Sequence, residues 1–145
     1  MATLTIKLPP HEAQTEFNLR RWDELLADRE LAKIESRVLT ECPLSTADGV
    51  RAADVAWVSQ QRLKELGNRS CFPHAPEICV EVLSPGNTDA EIREKMALYF
   101  DAGAGEVWLC ETSGDMKFFS SAEAPPMTAS KLCPDFPAQI QLSTQ

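Results

Sequence analysis

The sequence predicts a single α/β (α+β) domain built on a mixed central β-sheet flanked by helices. Residues 18–34 and 87–102 place apolar side chains at helical spacing. Residues 78–83 and 106–111 are short, nearly continuous apolar runs, the pattern of strands buried on both faces. Shorter strand-like runs precede and follow them, and a helix–strand–strand–strand–helix–strand–strand order calls for one mixed sheet with helices packed on it.

In chain order, Leu4, Ile6 and Leu8 alternate with Thr3, Thr5 and Lys7, which predicts a short strand ended by Pro9-Pro10. Asn18 then caps an amphipathic helix over 19–34, with Leu19, Trp22, Leu25 and Leu26 on one face and Leu31 and Ile34 near it. Val38 to Leu44 and Val50 to Val58 are expected to pair as a hairpin across an Ala47-Asp48-Gly49 turn. Residues 60–66 are expected as one or two helical turns stopped at Gly67-Asn68. Ile78 to Leu83, flanked by Pro73 and Pro85, is the central strand. Asn87-Thr88-Asp89 offers N-caps for a helix through Ala102, with Ile92, Met96, Tyr99 and Phe100 as its core face and Gly103 as its stop. Glu106 to Glu111 and Met116 to Phe119 complete the sheet across a Ser-Gly-Asp turn, and the Pro-rich remainder is expected to be a meandering edge. The domain thus divides into an N-terminal strand and helix (1–37), a core (38–120) and a C-terminal edge (121–145).

At 145 residues the chain can bury a core without disulfides or metals. Its 14 Lys+Arg against 22 Asp+Glu give a net charge of −8, which excludes non-specific coating of polyanions. The imbalance lies in residues 71–145, net −7, against −1 for residues 1–70. A nucleic acid could therefore approach only a local basic face or an acidic site filled by metal. The five cysteines form no CxxC pair, and no leader or membrane-spanning run is present, so the expectation is a cytoplasmic protein with reduced thiols and no membrane partner.

Glu81 is the most informative residue, because an ionised carboxylate inside an apolar strand needs a pairing, hydrogen-bonding or metal partner. By strand alternation it shares a face with Glu77, Cys79 and Leu83. Asp54 repeats the anomaly inside AADVAWV on the neighbouring hairpin strand. Two such acids suit a hard cation, Mg²⁺ or Mn²⁺, and Lys95 in the next helix adds the cation that phosphodiester hydrolysis uses to orient water or neutralise charge. The competing assignment is structural, with Arg51 and Arg93 as ion-pair partners of the acids. Zinc at Cys71, His74 and Cys79 is disfavoured by a spacing that matches no finger and by the lack of a fourth ligand.

The string PEICVEVLSPGNTDAEIREKMALYFDAGAGEVWLC, preceded by VRAADVAWVS and followed by CPDFP, resembles the Uma family of putative restriction endonucleases in the PD-(D/E)XK nuclease superfamily. The resemblance spans roughly residues 38–140 and implies a restriction-endonuclease-like fold and DNA as substrate. It implies that Asp54 and Glu81 are metal ligands and catalytic residues. Lys95 becomes the catalytic lysine, moved into the helix because Leu83 occupies the superfamily's usual lysine position. Glu77 is a weaker, additional site position, Ser84 belongs to the strand-end turn, Glu94 is an exposed neighbour of the lysine, and Glu106 and Trp108 are structural.

One departure from the family stands out. Its extra hairpin and long helix between the first helix and the strand before the "PDV"-like segment have no counterpart here, since Glu35-Ser36-Arg37 runs almost directly into Val38. The resemblance therefore implies a core helix missing, a sheet face left bare, and homo-oligomerisation to cover it. It also opens the alternative of a catalytically inactive nuclease-like remnant that serves as a binding or oligomerisation module.

Overall fold

The computed structural model describes residues 5–7 and 37–143. The helix expected over 19–34 and its Asn18 cap lie outside the described residues. The strands are β1 (Thr5–Lys7), β2 (Arg37–Thr46), β3 (Gly49–Val58), β4 (Ile78–Val82), β5 (Glu106–Cys110), β6 (Met116–Phe119) and β7 (Gln141–Ser143). The described helices are α1 (Gln60–Leu66) and α2 (Asp89–Asp101). The central sheet runs β2-β3-β4-β5-β6, antiparallel except for the parallel β4–β5 pair that α2 connects. This is the mixed sheet the sequence predicts. β1 pairs in parallel with β7 as a separate two-stranded ribbon.

Local chemistry sets the element ends. The hairpin turns at Ala47-Asp48, with Gly49 at φ 85° as the first residue of β3. The Thr46 hydroxyl donates to the Gly49 carbonyl at 2.6 Å and accepts the Asp48 N–H at 3.2 Å, so the polar groups of the turn satisfy one another. α2 opens on a capping box, in which Thr88 Oγ1 accepts the Glu91 N–H and the Glu91 carboxylate accepts the Thr88 N–H. It closes where Gly103 takes φ 110°, a conformation that other residues rarely adopt.

Strand alternation divides the core between the two faces of the sheet. Ile78, Val80, Val55, Trp57, Trp108 and Phe118 pack on one face; Cys79, Ala56, Val58, Val107 and Leu109 pack on the other beneath Met96 and Tyr99 of α2. The Pro-rich C-terminal segment differs from the expected edge, because Cys133, Phe136 and Ile140 are buried in the first of these clusters. The physical reason is aromatic packing and one buried carboxylate. Phe136 lies 4.6 Å from Trp108, centroid to centroid, and Trp108 meets Phe118 edge-on at 5.1 Å. Glu106, 3% exposed, accepts from Trp108 Nε1 and the Ser130 hydroxyl on one oxygen and from the Lys131 and Leu132 N–H groups on the other. It is structural, as expected, and it fastens the strap across the sheet.

Both sheet faces thus carry covering elements, and the large hydrophobics exposed among the described residues are Val50 and Leu132. The bare face that motivated the expectation of homo-oligomerisation is not found among these residues. No helix among them is long and apolar enough to cross a membrane.

Candidate active site

The site forms where β3 and β4 part. Their ladder pairs Trp57 with Ile78, Ala56 with Cys79 and Val55 with Val80, so the next opposed positions are Asp54 and Glu81. There side chains replace the backbone rungs. The Asp54 N–H donates to Glu81 Oε2 at 3.1 Å, and the Val82 N–H donates to Asp54 Oδ2 at 2.8 Å. Each carboxylate satisfies a backbone donor of the opposite strand, which accounts for two acids at the heart of an apolar sheet.

The hairpin is irregular at the same level. The β2–β3 pairing passes from Thr40–Val55 to Cys42–Ala53 without a Glu41–Asp54 pair, and Glu41 adopts φ 49°. A left-handed conformation at a non-glycine residue inside a strand is strained. Across this point the alternation slips by one, so Ala53 and Ala56, three residues apart, share one face.

Glu81 is the electrostatic centre. Its Oε1 meets Lys95 Nζ at 2.6 Å, and its Oε2 lies 3.3 Å from the Tyr99 hydroxyl, whose other acceptor is the Ala52 carbonyl at 3.2 Å. Burial, reinforced by repulsion from Asp54, pushes the Glu81 carboxyl up to about 7, and Lys95 only partly offsets them. Burial draws the Lys95 ammonium down, but its contact with Glu81 outweighs this and holds its pKa above the ordinary lysine value. Burial, with Glu81 next in weight, drives the Tyr99 phenol far upward, so it stays a hydrogen-bond donor.

A crevice of ≈ 460 Å³ opens over these groups, lined by Arg51, Asp54, Glu81, Ser84, Asn87, Glu91, Glu94 and Lys95 with Val82, Leu83, Ile92 and Leu98. Asp54, Glu81 and Lys95 are therefore brought together. Glu77 is not, because it precedes β4, accepts the Ser59 N–H at 3.1 Å and lies 3.8 Å from the Arg62 guanidinium. Ser84 sits in the strand-end turn, where Asn87 Oδ1 accepts its N–H at 2.8 Å. Glu94 is exposed on the crevice rim, and Arg93 is exposed outside the lining. Cys79 is buried in the core with its thiol against the Pro76 carbonyl, while His74 meets Glu65 at the surface. Among the described residues no three His, Cys, Asp or Glu gather as a metal cluster.

The sequence places Tyr99 on the core face of its helix and offers Arg51 as an ion-pair partner for the acids. Both reach the site. Tyr99 lies at a helical spacing of four from Lys95, a signal that could have placed the two beside the same carboxylate.

The chain matches the family Uma2, described as "Putative restriction endonuclease", over residues 4–120. No match to a curated protein is found. Among solved structures, it is similar to a protein of Anabaena variabilis described as a "putative nuclease belonging to DUF820", with a TM-score of 0.62 and 15% sequence identity. That alignment covers 81% of this chain and 65% of the neighbour, so the chain spans about two thirds of the length of the protein it resembles.

Proposed function

This chain belongs to the Uma2 family, and from that premise we propose that it is a Mg²⁺- or Mn²⁺-dependent endonuclease that hydrolyses DNA phosphodiester bonds in the Asp54–Glu81–Lys95 crevice. The observation that carries this reading is the convergence of the three side chains, with Asp54 opposed to Glu81 across the parted strands and Lys95 Nζ 2.6 Å from the same glutamate.

The donor set fits a hard dication. Two oxygen ligands from adjacent strands leave room for waters and a substrate phosphate, the way Mg²⁺ is commonly held. Burial and the repulsion from Asp54 raise the Glu81 pKa, and a cation held by Asp54 and Glu81 would offset both. When bound, the ion polarises the phosphate and lowers the pKa of a water. Lys95 stays protonated beside Glu81, so its ammonium orients the attacking water and neutralises developing charge rather than removing a proton. Tyr99 holds the Glu81 carboxylate in place from behind. The five free thiols accord with the reducing cytoplasm as its location. Homo-oligomerisation would have to use a surface other than the covered sheet faces, and light scattering at micromolar concentration reads it directly.

The test is cleavage of supercoiled plasmid by purified protein with Mg²⁺ or Mn²⁺ and with EDTA. Metal-dependent cleavage, lost on the order of a hundredfold or more in folded Lys95→Ala, is expected. A folded, metal-replete protein that cleaves nothing overturns the reading, and DNA binding without cleavage identifies the inactive binding module instead.

A further inference from the structure

We propose that Arg51 is a phosphate-binding residue of the crevice, gripping a backbone phosphate of the nucleic acid strand beside Asp54 and Glu81. This rests on the nuclease reading above and adds the group that makes the substrate welcome. Among the described residues the cations lining the crevice are Arg51 and Lys95, against the four carboxylates of Asp54, Glu81, Glu91 and Glu94. Lys95 is engaged with Glu81. A polyanion entering such a place needs a further cation, and Arg51 is positioned to supply it.

Two observations mark Arg51 for this role. Its Nε is buried and has no hydrogen-bond partner among the described residues, which is unusual for a buried donor, while the side chain as a whole is 41% exposed, so the guanidinium is incompletely satisfied and its outer end is open to an acceptor. Its Nη2 is paired with Asp48, whose side chain is 59% exposed at the hairpin tip. A surface pair of this kind is weak and readily exchanged for a phosphate. The fold also places Arg51 there by an irregular device. In a regular strand residues 51 and 54 point to opposite faces. The slip at Glu41 and Asp54 removes that opposition, so both residues line one crevice. The strained Glu41 backbone is thus tied to a functional arrangement rather than to packing alone.

The experiment is fluorescence anisotropy of a short DNA duplex with wild type, Arg51→Met and Arg51→Lys, in Ca²⁺ to hold back cleavage and over a range of salt, with Mn²⁺ titration of each protein in parallel. Arg51→Met is expected to weaken DNA binding about tenfold and to reduce the slope of log affinity against log salt by about one, with Mn²⁺ affinity unchanged. Arg51→Lys is expected to keep the slope and recover part of the affinity. Wild-type affinity and slope in Arg51→Met would overturn the assignment of Arg51 while leaving the nuclease reading intact. A wild type that binds no duplex would overturn both. Should Arg51→Met fail to fold, Arg51→Lys decides: weaker binding with the slope kept supports the assignment, and unchanged affinity contradicts it.

Discussion

The backbone N–H of Asp54 donates to the side chain of Glu81 one step beyond the last rung of the β3–β4 ladder. The two acids are therefore held together by their strands although their charges repel, and the repulsion is built into the fold. Relieving it should stabilise the metal-free protein. Asp54→Asn keeps an oxygen for the Val82 N–H and removes one charge, so in EDTA it is expected to be as stable as wild type or up to about 1 kcal/mol more stable. Thermal melts followed by circular dichroism check this, and a clear loss of stability would argue against a repulsive pair.

The raised pKa of Glu81 gives a pH dependence with a definite sign. The folded protein retains the Glu81 proton up to about pH 7, while the unfolded chain releases it near the ordinary glutamate value of 4.5. The folded state binds more protons through this window, so the stability contributed by Glu81 is complete at low pH and is lost as pH rises to about 7. The expected loss is about 1–3 kcal/mol, absent in Glu81→Gln. Urea melts of metal-free protein at about pH 5 and about pH 8 measure it.

Glu106 is expected to be the most sensitive buried polar position outside the site. Both Glu106 oxygens accept from donors, so Glu106→Gln turns its NH2 either toward the Lys131 and Leu132 N–H groups or toward Trp108 Nε1 and the Ser130 hydroxyl, and a destabilisation of about 2–4 kcal/mol is predicted. Faster proteolysis within 121–140 should accompany it. Unchanged denaturant midpoint and protease resistance would show that the strap is held by its aromatic contacts alone.

Thiol chemistry should single out one cysteine. Burial pushes the Cys42 and Cys110 thiols up to about 12 and holds Cys79 well above the ordinary thiol value, Cys133 is buried, and Cys71 is only half-buried. In native protein a single fast equivalent is expected with a disulfide reagent, lost in Cys71→Ser, with the remaining four reacting only on unfolding.

Patterns that repeat along the chain predicted the sheet well. The Ile78–Val82 run, the hairpin about Asp48 and the Thr88 cap are local, and local chemistry places them within a residue or two of their observed bounds. The anomaly of Glu81 within that run also identified the heart of the crevice. What the sequence could not convey depends on distance or on an irregular backbone. The Glu106 clasp joins residues more than twenty positions apart, so nothing near Ser130 announces that the Pro-rich segment belongs to the core. Strand alternation places Arg51 and Asp54 on opposite faces, and they meet in one crevice where the β2–β3 pairing is interrupted at Glu41, an irregularity that no local glycine signals.

The central claim is that Asp54 and Glu81 form a cation site. Calorimetric titration of Mn²⁺ into metal-free protein tests it without any choice of substrate. Wild type is expected to bind Mn²⁺, and Glu81→Gln, folded by circular dichroism, to lose at least about tenfold in affinity. Equal binding by the two proteins, or no binding by folded wild type, would contradict the account.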